Sequence, residues 1–210
     1  MIEYDGDTNE VYLYDEIGPD EYGLASAKQM VAALKAAKGA DITLRINSPG
    51  GSVTEATAMV EALRRYKGEV NVEIDAIAAS ASTLVALAGN SVGISANAFY
   101  MIHMPWSFAI GPASEMRKTA DILDKFAVNL AQQYATATGK PVDEVMELMA
   151  AETWYNAEEA VANGFAHRIT DGVEVAANIR RGLYAKAPDK LFDSPAVSAR
   201  EKRLRLLRLQ

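Results

Sequence analysis

Ser80 stands where an alternating apolar pattern gives way to small residues, in the run Asp75-Ala-Ile-Ala-Ala-Ser-Ala-Ser-Thr83. The pattern predicts a strand that ends just before Ser80 and a helix that begins at it. A hydroxyl so placed is fixed by the strand end. The helix start offers unpaired N–H groups and a positive dipole end to a developing anion. The chain has two histidines, and His103 falls at the end of the next strand pattern. Imidazole titrates near neutral pH and is the natural base for a serine. Upstream, Gly50-Gly51 ends another strand pattern. Glycines there let backbone N–H groups approach a substrate without a Cβ in the way. The N–H groups of the Gly50-Gly51 pair, with that of Ala81 beside Ser80, are therefore the oxyanion-hole candidates, and acyl transfer by an activated serine is the chemistry to test.

Each of these signals has a structural reading as well. A serine at a helix start commonly caps the helix, and Ser-Pro-Gly-Gly commonly makes a turn. Ser82 rivals Ser80, but two residues apart on a helix they point to nearly opposite sides. A triad also needs a carboxylate to orient His103. Spacing alone leaves Glu152, Asp121 and Asp124 open.

The elements that must position these groups follow from periodicity. Short strands are expected at residues 11–14, 42–46, 70–76, 99–103 and 165–169. Helices are expected at residues 25–37, after Ser52, after Ser80, at 113–137, from Pro141 to Met149 and after Asn156. Ser52-x-x-Glu55 and Asn156-x-x-Glu159 read as capping boxes. The long helix carries an apolar stripe of Met116, Ala120, Leu123, Ala127, Leu130 and Tyr134. Strand, turn and helix in repetition imply an α/β fold with parallel strands and right-handed crossovers. After residue 172 the periodicity weakens. Ala187-Pro-Asp and Ser194-Pro195 read as linker, and residues 199–210 as a basic, leucine-rich amphipathic helix.

Composition narrows the classes. A chain of 210 residues, half of them apolar, makes one domain with a sizeable core and room for an appendage. No apolar run is long enough to span a bilayer, and the acidic N-terminus does not read as a signal peptide. The absence of cysteine excludes disulfides, thiol catalysis and thiolate metal sites and fits a reducing cytoplasm. Two histidines leave little for a histidine-rich metal site. Residues 180–210 hold nine Lys and Arg against three acidic residues, which leaves the rest of the chain at −13 of the total −7. An acidic body argues against nucleic acid as a partner of the fold.

In order, the chain reads Asn47-Ser-Pro-Gly-Gly51, Ala78-Ala-Ser80, Met101-Ile-His-Met-Pro105 and Glu152-Thr-Trp-Tyr-Asn-Ala-Glu-Glu-Ala160. This set resembles the Clp protease proteolytic subunit family over roughly residues 10–172. The resemblance implies the Clp/crotonase-type fold: repeated ββα units giving two stacked sheets flanked by helices, with the long helix as a protruding handle. It selects Ser80 over Ser82 as nucleophile, His103 over His167 as base, and Gly51 and Ala81 as oxyanion donors. It places Glu152 where the family usually has aspartate. It implies a domain at residues 1–172 and a C-terminal extension at 173–210. No metal or cofactor is implied.

Within that family the chain looks closest to the Clp-like proteases of tailed phages and prophages. The implied partners are a homo-oligomeric ring, heptameric or a stacked pair, and protein substrates such as capsid or scaffold proteins. The implied place is the bacterial cytoplasm, inside a procapsid. One alternative is a housekeeping degradative subunit working with an ATP-driven unfoldase. Others are a crotonase-like acyl-CoA enzyme and a shell protein without activity.

Overall fold

The computed structural model describes residues 1–172 and 175–192. Among these residues there are eight strands and six α-helices. They are β1 (Ile2–Asp5), β2 (Glu10–Leu13), α1 (Ala27–Ala36), β3 (Ile42–Ser48), α2 (Val53–Arg64), β4 (Val70–Ala79), α3 (Ala81–Ala86), β5 (Ser91–Ser95), β6 (Phe99–Ile102), α4 (Ala113–Thr138), α5 (Val142–Ala150), β7 (Thr153–Tyr155), α6 (Ala157–Ala162) and β8 (Arg168–Thr170). The chain is α/β, with helices flanking a sheet whose central pairs are parallel. The β1–β2 and β6–β7 pairs are antiparallel.

The two expected layers are one hydrogen-bonded network that forks at β4. Its first half, Asn71 to Ile74, pairs with β5, and its last half, Ile77 to Ala79, pairs with β6. A ten-residue strand can serve two neighbours because its halves twist apart. The fork puts the end of β4, and hence Ser80, beside the end of β6, and hence His103. The register of β3 against β4 also jumps: Ile46 faces Ile74, but Ser48 faces Ala78. Such a bulge bends a strand and re-aims the residues beyond it. Here it carries residues 49–51 over the end of β4.

Leu44 and Ile46 of β3 and Val72 and Ile74 of β4 pack with Met30, Met59, Leu63 and Leu84 of the helices. The opposite face of β3 and β4 is polar at first, with Thr43, Arg45, Asn71 and Glu73. Arg45 bridges Glu10 and Asp75 at 2.7 and 2.8 Å, and Tyr14 donates to the same Asp75. Asp75 is only 3 % exposed. Burial pushes its carboxyl up, and the Tyr14 and Arg45 contacts oppose that. Further along, β4 is buried on both faces. Ala76, Ile77 and Ala79, with Met101, are covered by Ala177, Ile179, Leu191 and Phe192. Residues 187–189, expected as linker, thus belong to a packed segment. Apolar burial against the sheet outweighs the weak local periodicity there. Ser194-Pro195 and residues 199–210 lie outside the described residues.

Helix ends follow local chemistry. Asn156 and Glu159 form a complete capping box. At α2 only half of one forms: Ser52 accepts from the Glu55 N–H, but the Glu55 carboxylate accepts from the Ala27 N–H at 2.7 Å. The Ser52 N–H is already spent on Ile17 O. Helix α4 ends at Gly139, whose φ of 73° is the left-handed cap. Its stripe is buried only at Ala127, Leu130 and Tyr134, joined by Ala131. Met116 and Ala120 are exposed, as is most of the first half of α4. The preceding loop is apolar and open too, with Phe108 87 % and Ile110 99 % exposed.

Candidate active site

Ser80 caps α3 in position only. Its side chain makes no capping bond, and its backbone sits at φ 55°, ψ −128°. That region is sparsely populated for a residue with a Cβ and costs on the order of 1–3 kcal/mol. The surroundings hold it there. The Ser80 N–H donates to Met101 O at 2.9 Å, and its carbonyl accepts from the Thr83 N–H at 3.0 Å and hydroxyl at 2.5 Å. Thr83 is locked in turn by Tyr134 and Tyr100. The hydroxyl so freed from capping lies 2.8 Å from His103 Nε2.

Burial pulls the His103 imidazole below its ordinary value, and the charge of Glu152 opposes that. The ring is therefore held neutral near pH 7, the form that accepts a proton. His167 is placed elsewhere: its Nδ1 accepts from the Val92 N–H at 2.8 Å, which ties β8 to β5. Ser82 is fully buried and bonds Ala79 and the Ser48 carbonyl. It holds the β4 end to the β3 end and does not reach the cleft.

Gly50 and Gly51 have φ of 88° and 138°. A Cβ on Gly50 would lie 2.4 Å from Ala79 O, 2.8 Å from Ser80 Cβ and 2.9 Å from Ala81 N. On Gly51 it would lie 2.1 Å from Ile17 O. Only glycine fits either place. Ile17 binds the loop on one side, its N–H to Gly50 O at 2.7 Å and its carbonyl to the Ser52 N–H at 2.8 Å. The alternation of extended chain turns the Gly51 N–H the other way. The close approach of Gly50 to Ala81 N sets the glycine turn against the start of α3, beside Ser80.

Glu152 follows α5 at φ 51°, a left-handed position usually left to glycine or asparagine. Its carboxylate accepts from Trp154 Nε1 at 3.2 Å, the Ala185 N–H at 3.1 Å and the Lys186 N–H at 2.6 Å. No hydrogen bond joins it to His103, on which it acts through its charge. Asp121 and Asp124 are exposed on α4, on the side away from Leu123 and Phe126, which face the cleft.

The cleft has a volume of about 420 Å³ and is bounded by Ser80, His103, Gly50 and Gly51. Val53, Trp106, Phe108, Leu123 and Phe126 make it largely apolar, and Leu183 and Tyr184 complete one wall. Sequence reasoning missed Tyr184; being an aromatic in a basic stretch was its only signal. A serine on a neutral imidazole, beside a glycine turn and an apolar groove, has the parts needed to attack a carbonyl. Among the described residues no group of three or more His, Asp or Glu side chains is arranged to hold a metal ion. No helix among them is long and apolar enough to cross a membrane.

The chain is 30% identical over 169 residues to ATP-dependent Clp protease proteolytic subunit 1 of Leifsonia xyli, covering 80% of this chain and 85% of that one. It is 33% identical over 139 residues to the ATP-dependent Clp protease proteolytic subunit of Streptococcus suis, covering 64% and 71%. A solved structure of a ClpP1 mutant from Listeria monocytogenes superposes with a TM-score of 0.68, covering 79% of this chain and 93% of that one. At 24% identity it speaks for the fold alone. The model of the Clp protease family matches residues 7–173, and the protein belongs to that family.

Proposed function

We propose that the protein cleaves peptide bonds with Ser80 as nucleophile and His103 as base. Membership of the Clp protease family makes the chain a serine-type peptidase. The observation that carries the residue assignment is the 2.8 Å contact from His103 Nε2 to the hydroxyl of a backbone-strained serine. His103 takes the Ser80 proton as Oγ attacks the carbonyl. The N–H groups of Gly51 and Ala81 hold the oxyanion. His103 then gives the proton to the leaving amine, and water, activated the same way, releases the acyl group. Glu152 favours the imidazolium through its charge. The apolar lining fits an extended chain with apolar side chains.

The working unit we propose is a ring of identical subunits that operates with an ATP-driven unfoldase. The names of the relatives support this better than procapsid maturation, which rests on the Glu152-Thr-Trp-Tyr segment and the C-terminal extension. The exposed Phe108, Ile110 and Met116 on the loop and first half of α4 support burial against other subunits. Degradation of casein with and without a Clp ATPase tests this. Stimulation by the ATPase supports it. Cleavage of capsid or scaffold protein with indifference to the ATPase would return the procapsid reading to first place.

A further inference from the structure

Residues 175–192 lie beyond the family match, which ends at residue 173. They are nevertheless fastened to the site at both ends. Asn47, buried at the start of the glycine turn, donates to Ala176 O at 2.9 Å and accepts from the Asn178 N–H at 2.8 Å. Leu191 and Phe192 are anchored under β4 and β6. Between these anchors, three successive residues touch three parts of the catalytic apparatus. The Tyr184 hydroxyl donates to Pro49 O at 2.5 Å, on the glycine turn. Its ring stands edge-on to His103, centroids 5.1 Å apart, and to Trp154 at 5.8 Å. The N–H groups of Ala185 and Lys186 hold the Glu152 carboxylate.

We propose that this segment is a working wall of the active site and that Tyr184 is a positioning residue, fixing the His103 ring relative to the glycine turn. The proposal rests on the assignment of Ser80 and His103 above. With no hydrogen bond from Glu152 to the imidazole, the ring is held by Ser80 on one side and by the Tyr184 edge on another. A tyrosine that bonds Pro49 and packs on His103 ties the oxyanion loop to the base in one side chain. Small errors in that relation are costly to rate. The segment is not a plug. Leu183 and Tyr184 lie in the cleft's wall, and Ser80, His103 and Gly51 still border its open volume. The wall also keeps water from His103, whose burial holds the imidazole down.

The test uses the full chain with Tyr184→Phe and Tyr184→Ala, a fluorogenic peptide, a fluorophosphonate and thermal melting. Tyr184→Phe keeps the ring and loses the bond to Pro49. It is expected to lower kcat on the order of tenfold with KM little changed and the pH profile in place. Tyr184→Ala is expected to lower kcat further and to move the acid limb of kcat/KM upward, since an opened wall relieves the burial that depresses His103. Faster labelling of Ser80 in Tyr184→Ala would make the segment an inhibitory plug and overturn the proposal. Unchanged kcat and pH profile in both variants would reduce Tyr184 to packing and overturn it too. A wild-type protein that turns over peptide but is not labelled on Ser80 would instead sink the serine assignment, and the role of Tyr184 with it.

Discussion

Ser80 Oγ and His103 Nε2 lie 2.8 Å apart because β4 forks, so that β6 ends beside it. The serine makes this contact at φ 55°, a conformation that a side chain resists. Replacement by glycine removes that resistance. Ser80→Gly is expected to abolish peptidase activity while leaving stability equal or higher, by about 1 kcal/mol. Ser80→Ala is expected to abolish activity without that gain. Thermal melting of the two variants beside wild type measures the difference. A Ser80→Gly protein clearly less stable than Ser80→Ala would mean the backbone is not strained there.

The pH dependence is set by His103. Burial lowers its value, so the neutral, base form persists below the ordinary histidine range, and protonation stops the reaction only at lower pH. The acid limb of kcat/KM is therefore expected below about 6.5. Glu152 acts in the opposite direction, favouring the imidazolium. Glu152→Gln removes that charge, so the limb should move lower still while kcat falls. Asp121→Asn and Asp124→Asn should leave both unchanged. A crippled Asp121 or Asp124 variant beside an active Glu152→Gln would move the third role to α4.

The glycine turn makes a steric prediction. Gly51→Ala would put a Cβ 2.1 Å from Ile17 O, a backbone atom that no rotamer change can move, at a φ of 138°. The loop must then shift, carrying the Gly51 N–H away from the oxyanion position. Losing one such donor costs about 10²–10³ in kcat. Steady-state kinetics with KM and kcat resolved provide the check. A variant with intact kcat would remove Gly51 from the mechanism.

Outside the cleft lining, Arg45 pairs with Asp75, which is 3 % exposed at its side chain. Taking the guanidinium away leaves a buried carboxylate without its cation. Arg45→Met is expected to destabilise the fold by about 3–5 kcal/mol, read by denaturant unfolding. The loss should shrink when Asp75→Asn is added, because no charge is then stranded. Equal losses in the single and double variants would mean that the pair is not coupled.

Much of this is legible in the sequence, and the illegible parts share a cause. Strand β3 and the first half of β4 declare themselves because one face is buried and alternation results. The Asn47 to Gly51 turn, Ser80 and His103 sit at the ends of such strands, so their neighbourhood can be inferred. Strands β5 and β7 leave no such mark. One is interrupted by Gly93 and the other is three residues long, too short for a period. The Asn156 cap is readable because both of its partners are local. The carboxylate of Glu55 is not, because its partner, Ala27, lies on another helix. Tyr184 is the extreme case: its place is fixed by Pro49, His103 and Trp154, all distant in the chain, and nothing in its own neighbours encodes it.

The role of Ser80 is read most directly from the site of fluorophosphonate modification in the wild-type chain, mapped by peptide mass spectrometry. A single adduct on Ser80 is expected, lost together with peptidase activity in Ser80→Ala. An adduct on Ser82 or another serine, or peptide turnover that survives Ser80→Ala, would contradict it.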